Sequence, residues 1–346
     1  MNTIMEMQVY LLNGNGTVEN LIISGNIVST GDNVGSICSS STIRMKITNC
    51  ISYVNIQATG NNVGGITGNY GTVTNCQNYG EIYGEENVGG IVGYSGIITN
   101  CRNYEQVSGT SFVGGISGAQ SSLIKDCENY GEIIASNNVG GISGYNSKII
   151  NKCINYTKIN GINNVGGITG SANSVINCIN NGEVESSGSD VGGIIGSSTN
   201  GKVIINSYNS ATIQGNENVG GIMGHAAYTQ NNMSKIINCY EIGEISGTSN
   251  IGGILGRKDG YGTNYIEYCY WPEEFNLNAA NIKAGSLLEI NKSQAYSLKH
   301  IRTEVFLKSL NDYVDSYNSG NKEYTDSEEL LHWEMDTETG YPTLDF

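Results

Sequence analysis

The sequence predicts an all-β fold: a parallel β-solenoid (β-helix) of about nine coils with three short strands per coil, then a C-terminal segment containing a helix. Three observations predict it. Gly-Gly-Ile-x-Gly recurs from Gly64, Gly89, Gly114, Gly140, Gly166, Gly192, Gly220 and Gly252, at spacings of 25, 25, 26, 26, 26, 28 and 32 residues. An Asn-Cys marker or close variant falls between these copies, at Cys50, Cys76, Cys101, Cys127, Cys153 and Cys178, then Ser207, Cys239 and Cys269. In phase with it run rows such as Ile47, Val73, Ile98 and Ile124 three residues before, and Ile56, Ile82, Val107 and Ile133 six residues after. Rows this purely β-branched are how inward strand positions read.

Each unit leaves room for Val-Gly-Gly-Ile-x-Gly, a run such as Gly96–Cys101, and Gly80–Gly84, with no helix between them. One coil per repeat at about 4.8 Å makes nine coils a rod of roughly 43 Å. The glycines suit corners of positive φ or close backbone approach. Asparagine suits left-handed turns and can ladder its amide from coil to coil. Residues 1–33 read as an N-terminal cap with strands at Val9–Leu12 and Asn20–Ile23, residues 34–271 as the solenoid, and 272–346 as a C-terminal capping segment. Within that segment Phe306, Leu310, Tyr313 and Tyr317 recur at helical spacing over 303–317, with Thr303 as N-cap.

Composition narrows the class. The 346 residues include 48 glycines, 46 asparagines and 2 prolines, and only 14% are charged against 38% apolar, which argues against disorder and against collagen. A net charge of −15 argues against a nucleic-acid partner. No apolar run approaches the roughly 18 residues of a membrane span, so no membrane insertion is expected. The acidity is uneven, with 14 acidic and 6 basic residues in 271–346, which sets that segment apart. Met1–Met7 lacks the basic start and apolar stretch of a signal peptide, so neither a signal peptide nor an anchor is expected within these residues.

The Gly-Gly-Ile-x-Gly copies over 34–271 resemble the GLUG-motif repeat proteins, whose repeats centre on Gly-Leu-x-Gly or Gly-Ile-x-Gly. Trp333-Glu334-Met335-Asp336 and Gly340–Leu344 resemble the segment that often follows such repeats. The resemblance implies a bacterial secreted or surface-attached protein, often adhesin-like, sometimes a repeat region beside a peptidase that cleaves immunoglobulin A. Such a motif transfers a fold better than an activity.

Chemistry-bearing constellations are sparse. The nine cysteines are mostly in phase with the inward rows, and a serine replaces one of them, so they read as buried, reduced fillers rather than disulfides. Without C-x-x-C or H-E-x-x-H, no metal is expected, and no cofactor motif appears. Glu81, Glu132, Glu183 and Glu244 share an outward row, but Gln106, Lys158 and Thr212 separate them, as in a charge-relieved solvated face rather than a glycosidase pair. No catalytic residue is assigned.

Binding residues are expected along the edge where late coils lengthen. There His225, Tyr228, Arg257, Asp259, Tyr261 and Tyr265 mix aromatic faces, donors, acceptors and a guanidinium, which suits carbohydrate or peptide recognition. A second choice is the row Tyr79, Tyr104, Tyr130 and Tyr156, which either stacks on sugar rings or stacks on itself to hold register. The row Thr67, Val92, Ser117, Ser143, Thr169, Ile195, Met223 and Leu255 counts as outward and is too irregular for an ice-binding lattice. Its last members, with outward Ile176, Ile205 and Ile237, form an apolar patch that the tail is expected to cover. The expected function is a non-enzymatic surface or secreted adhesin module, with a host or bacterial glycan or surface protein as partner. The alternatives are a glycan-active β-helix enzyme and the accessory repeat region of a larger peptidase.

Overall fold

The computed structural model describes residues 16–41, 45–198, 203–227, 234–260, 263–282, 287–320, 322 and 328–346. The repeats wind into a parallel β-solenoid of about ten turns. Each turn passes through three parallel sheets. In one coil Glu86–Gly89 lies in the first sheet, Val92–Tyr94 and Ile97–Thr99 in the second, and Arg102–Asn103 and Val107–Ser108 in the third. Each piece pairs with its equivalent one coil on: Val88 with Val113, Ile98 with Ile124, Val107 with Ile133.

The coils extend past the expected 34–271 at both ends. Thr17–Glu19 and Ile22–Ser29 pair in parallel with Lys46–Thr48 and Ile51–Ala58, so residues 17–33 form a turn of the solenoid rather than a separate cap. Val18 and Ile27 stand in register with Ile47 and Ile56, and this apolar phase suffices without the glycine motif. At the other end Ala280–Ile282, Leu287–Asn291 and Gln294–Tyr296 add a turn, with Ser293 at the cysteine position. The strand expected at Val9–Leu12 lies outside the described residues.

Asparagine and glycine divide the corners between them. Positive φ falls mostly on asparagines, from 50° at Asn100 to 60° at Asn62, a conformation their short polar side chains tolerate. Their amides ladder between coils, Asn75 Nδ2 donating to Asn49 Oδ1 at 3.1 Å and Asn100 to Asn75 at 2.8 Å. The repeated glycines instead sit where backbones nearly touch. A Cβ on Gly140 would lie 2.3 Å from Ser143 O and 2.4 Å from Thr169 Cα.

All nine cysteines are buried free thiols. In successive coils a cysteine amide meets the next sulfur: the amide of Cys76 donates to Cys101 Sγ and that of Cys101 to Cys127 Sγ, both at 3.4 Å. Ser207 fits the same slot, accepting from the Cys178 amide at 3.0 Å and donating to Ile205 O at 3.0 Å. The row Thr67 to Leu255, counted as outward, faces inward. Ile66 and Thr67 are both fully buried, so the corner between the first two sheets breaks the alternation, and Val92, Ile195, Met223 and Leu255 join the core. The ice-lattice argument therefore concerned an interior row.

A second interior ladder runs through Asn78, Asn103, Asn129, Asn155, Asn180 and Asn209, with Nδ2–Oδ1 distances of 2.6–3.0 Å. It ends on Glu241, fully buried, whose carboxyl accepts from Asn209 Nδ2 and the Gly243 amide. Burial pushes the Glu241 pKa well above the usual carboxylate value, outweighing those hydrogen bonds. The folded chain then keeps this proton at pH values where the unfolded chain has released it. This contribution to stability is full below about pH 4.3 and falls as pH rises toward the folded pKa. Glu241→Gln is expected to leave the melting temperature unchanged at pH 4 and to raise it at pH 8. Equal effects at both pH values would mean that Glu241 is ionised in the fold.

The tail packs on the side of the last coils. Helix Glu304–Ser319 is capped by Thr303, whose hydroxyl accepts from the Phe306 amide, and it buries Phe306, Leu310, Val314 and Tyr317. Val314 takes the buried place expected for Tyr313, whose ring instead lies 4.9 Å from that of Tyr268. Trp333–Met335 and Pro342–Leu344 form an antiparallel hairpin. Together these elements cover Ile176, Ile205, Ile237, Tyr208, Tyr240 and Tyr270. The corner asparagines help hold them: Asn206 Nδ2 donates to Leu331 O at 2.8 Å, and Trp333 Nε1 donates to Asn206 Oδ1 at 2.7 Å. Among the described residues no helix is long and apolar enough to cross a membrane.

Candidate ligand-binding site

Parallel pairing of Met223–Ala226 with Leu255–Lys258 sets His225 beside Arg257 at the lengthened edge. Asp259 follows within two residues, and Arg257 Nε lies 3.0 Å from both its carboxylate oxygens. His225 Nε2 is 3.4 Å from Asp259 Oδ2 but outside hydrogen-bonding geometry, which leaves this buried nitrogen without a hydrogen-bond partner. On its other side His225 Nδ1 meets Asp190 Oδ2 at 3.2 Å. Lys258, fully buried, donates through Nζ to Asp259 O at 2.5 Å and ties the loop back; burial lowers its pKa.

The structure thus brings together His225, Arg257 and Asp259. Tyr265 lies on the strand after the loop, in register with Lys235, whose ammonium is 5.6 Å from its ring centroid. Tyr228 and Tyr261 lie outside the described residues.

Asp190 is the residue that sequence reasoning missed. It occupies the left-handed corner position held in neighbouring coils by Asn164 and Asn218, and it accepts from Asn218 Nδ2 at 2.7 Å through Oδ1. An acid replacing asparagine in that row, one coil before a histidine, was the available signal. The imidazole thus lies between two carboxylates, one of them shared with a guanidinium, with Nδ1 hydrogen-bonded and Nε2 left over. This arrangement can hold two long loops together and offer carboxylate edges to a donor-rich ligand.

The tyrosine row stacks on itself. Rings of Tyr79 and Tyr104 lie 4.4 Å apart, Tyr104 and Tyr130 5.1 Å, and Tyr130 and Tyr156 4.8 Å, with interplanar angles of 4–7°. Tyr53 extends the stack at 5.0 Å. Rings within the stack cover each other's faces and leave only their edges to solvent. Beside the stack Arg102 pairs with Glu128 at 2.9 Å, and the Tyr130 hydroxyl donates to Glu128. On the glutamate row Lys158 bridges Glu183 at 3.2 Å and Glu185 at 2.6 Å, which relieves the like charges. Among the described residues no group of three or more His, Cys, Asp or Glu side chains could hold a metal ion.

No protein-family model matches the chain, and no curated protein matches it. Among solved structures it is similar to a crystal structure of a protein from Bacteroides ovatus provisionally named an immunoglobulin A1 protease. That likeness covers 93% of this chain and 92% of the other, at 16% identity and a TM-score of 0.45.

Proposed function

We propose that this chain is a non-enzymatic binding module, a rigid repeat scaffold of the secreted or surface-attached kind that its GLUG-like repeats resemble. One observation carries the reading: outward polar side chains are held by their neighbours along the rod. The corner asparagines ladder, the tyrosines stack, Lys158 sits between two glutamates, and His225 sits between two aspartates. Such groups present a fixed surface at low entropic cost to a ligand.

A panel of glycans and surface proteins, read for both binding and product formation, tests this. Saturable binding without turnover is the expected result. Time-dependent formation of cleaved glycan or peptide by the purified chain would overturn it.

A further inference from the structure

The tyrosine stack has a terminal ring, and a groove opens over it. After Tyr156 the same repeat position holds Asn181 and then Ser210, as the register of Asn155 with Asn180 and of Asn180 with Asn209 fixes. One face of the Tyr156 ring lies against Tyr130. The other faces the coil of Asn181, where no ring continues the stack. Across from it stands the C-terminal hairpin, fixed by a 3.0 Å hydrogen bond between the Tyr208 hydroxyl and Thr343 Oγ1 and by the Tyr240 hydroxyl donating to Pro342 O. The space between is about 930 Å³. Its floor is Tyr156 with Ile154 and Ile179, and its sides include Asn181, Ser210 and Tyr341.

We propose that this groove is a saccharide-binding site in which a pyranose ring stacks on Tyr156 as the next layer of the ladder. The proposal rests on the binding-module reading and names its ligand class and place. The stack repeats every 4.4–5.1 Å, the thickness available to one further ring. An aromatic face with flanking aliphatic carbons receives the C–H face of a sugar, and the neighbouring amide and hydroxyls suit its hydroxyl groups. Ser210 Oγ donates to Asn181 Oδ1 at 2.7 Å, which orients the Asn181 amide N–H₂ as a free donor pair.

Charge selects among sugars. Glu334, Glu338 and Asp345 line the rim, and the guanidinium of Arg302 lies over the Tyr341 ring, 4.2 Å from its centroid. Asp336 is held by the Thr339 amide and hydroxyl at 2.6 and 2.9 Å, which keep its carboxyl below the usual range and so charged. The site therefore favours neutral or N-acetylated sugars and disfavours uronic acids. A basic peptide would find the rim attractive, but the rim carboxylates are solvated and the floor is neutral, so the saccharide fits the interior better.

The test is calorimetric titration of the full chain with neutral hexose and N-acetylhexosamine trisaccharides, trigalacturonate and a penta-arginine peptide. Two variants are compared with the parent chain. Asn181→Tyr fills the slot with one more ring and keeps the ladder, and Tyr156→Ala removes the platform. A neutral trisaccharide is expected to bind the parent and to lose about tenfold or more in affinity in both variants, with the melting temperature of Asn181→Tyr unchanged. No saccharide binding, binding that survives Asn181→Tyr, or binding of penta-arginine alone would overturn the site. Saccharide binding that is unchanged in both variants but falls in two further ones, His225→Ala and Arg257→Ala, would move the site to the loop edge and leave the binding-module reading standing. Cleavage of a bound saccharide would sink that reading instead and leave the groove as the saccharide site.

Discussion

Deleting residues 297–346 is expected to turn the chain into an aggregating species that binds hydrophobic dyes. The cut falls after Tyr296, where the last strand of the solenoid ends, so every coil keeps its partners. What is lost is the cover over Ile176, Ile205, Ile237, Tyr208, Tyr240 and Tyr270, all buried in the intact chain. Six such side chains side by side would make an apolar patch of a size that soluble proteins seldom leave open. The deletion also strips partners from the corner asparagines, since Asn177, Asn206 and Asn238 donate to the tail carbonyls of Glu329, Leu331 and Leu310. Light scattering after gel filtration, with dye fluorescence, reads the outcome. The single substitution Phe306→Ala acts on the same interface, because Phe306 is fully buried and meets the rings of Tyr240, Tyr270 and Tyr296. It is expected to cost about 3–5 kcal/mol. A truncated chain that stays monodisperse, dye-negative and equally stable would show that the tail is an appendage.

The solenoid was legible because its inward rows carry one chemistry at one phase. Ile47, Val73, Ile98 and Ile124 need no context to be read as a stack, and Ser207 in the cysteine row signals a small hydrogen-bonding filler. Strand alternation failed at Thr67, because two consecutive residues turn inward at a corner, and a period of two holds only along a straight strand. The same failure split the tail reading. Ile176, Ile205 and Ile237 are outward and covered by the tail, whereas Ile195, Met223 and Leu255 belong to the interior. The boundaries were set by the glycine motif, yet Val18 and Ile27 show that the apolar phase outlasts the motif. At the candidate sites, the His225–Arg257 neighbourhood followed from repeat position. Asp190 did not, because its contact with His225 depends on a corner conformation that brings one row against another. The groove over Tyr156 depends on where the hairpin docks, which no local pattern encodes.

Replacing Gly140 with alanine is expected to destabilise the chain by about 3 kcal/mol. Three backbone atoms surround the position a Cβ would take: Ser143 O at 2.3 Å, Thr169 Cα at 2.4 Å and Ile168 O at 2.7 Å. One belongs to the same coil and two to the next, so relief requires sliding one coil against another. Such a shift would pull on the parallel pairing of Gly140 with Gly166 and of Ser143 with Thr169, and on every interior ladder that crosses the joint. Gly96 provides the control. There the nearest atom to an added Cβ is Gly71 O at 3.1 Å, and the next two are side-chain carbons of Val92 and Ile98 at 3.5 and 3.7 Å, so a small shift accommodates it. Gly96→Ala is expected to change stability by less than about 1 kcal/mol. Urea denaturation of the two variants beside the parent chain measures both numbers. Because both substitutions add the same methyl group, their difference isolates the close approach of coils from the loss of chain entropy. If the two variants unfold at the same urea concentration, the glycines of the repeat are there for some reason other than backbone contact between coils.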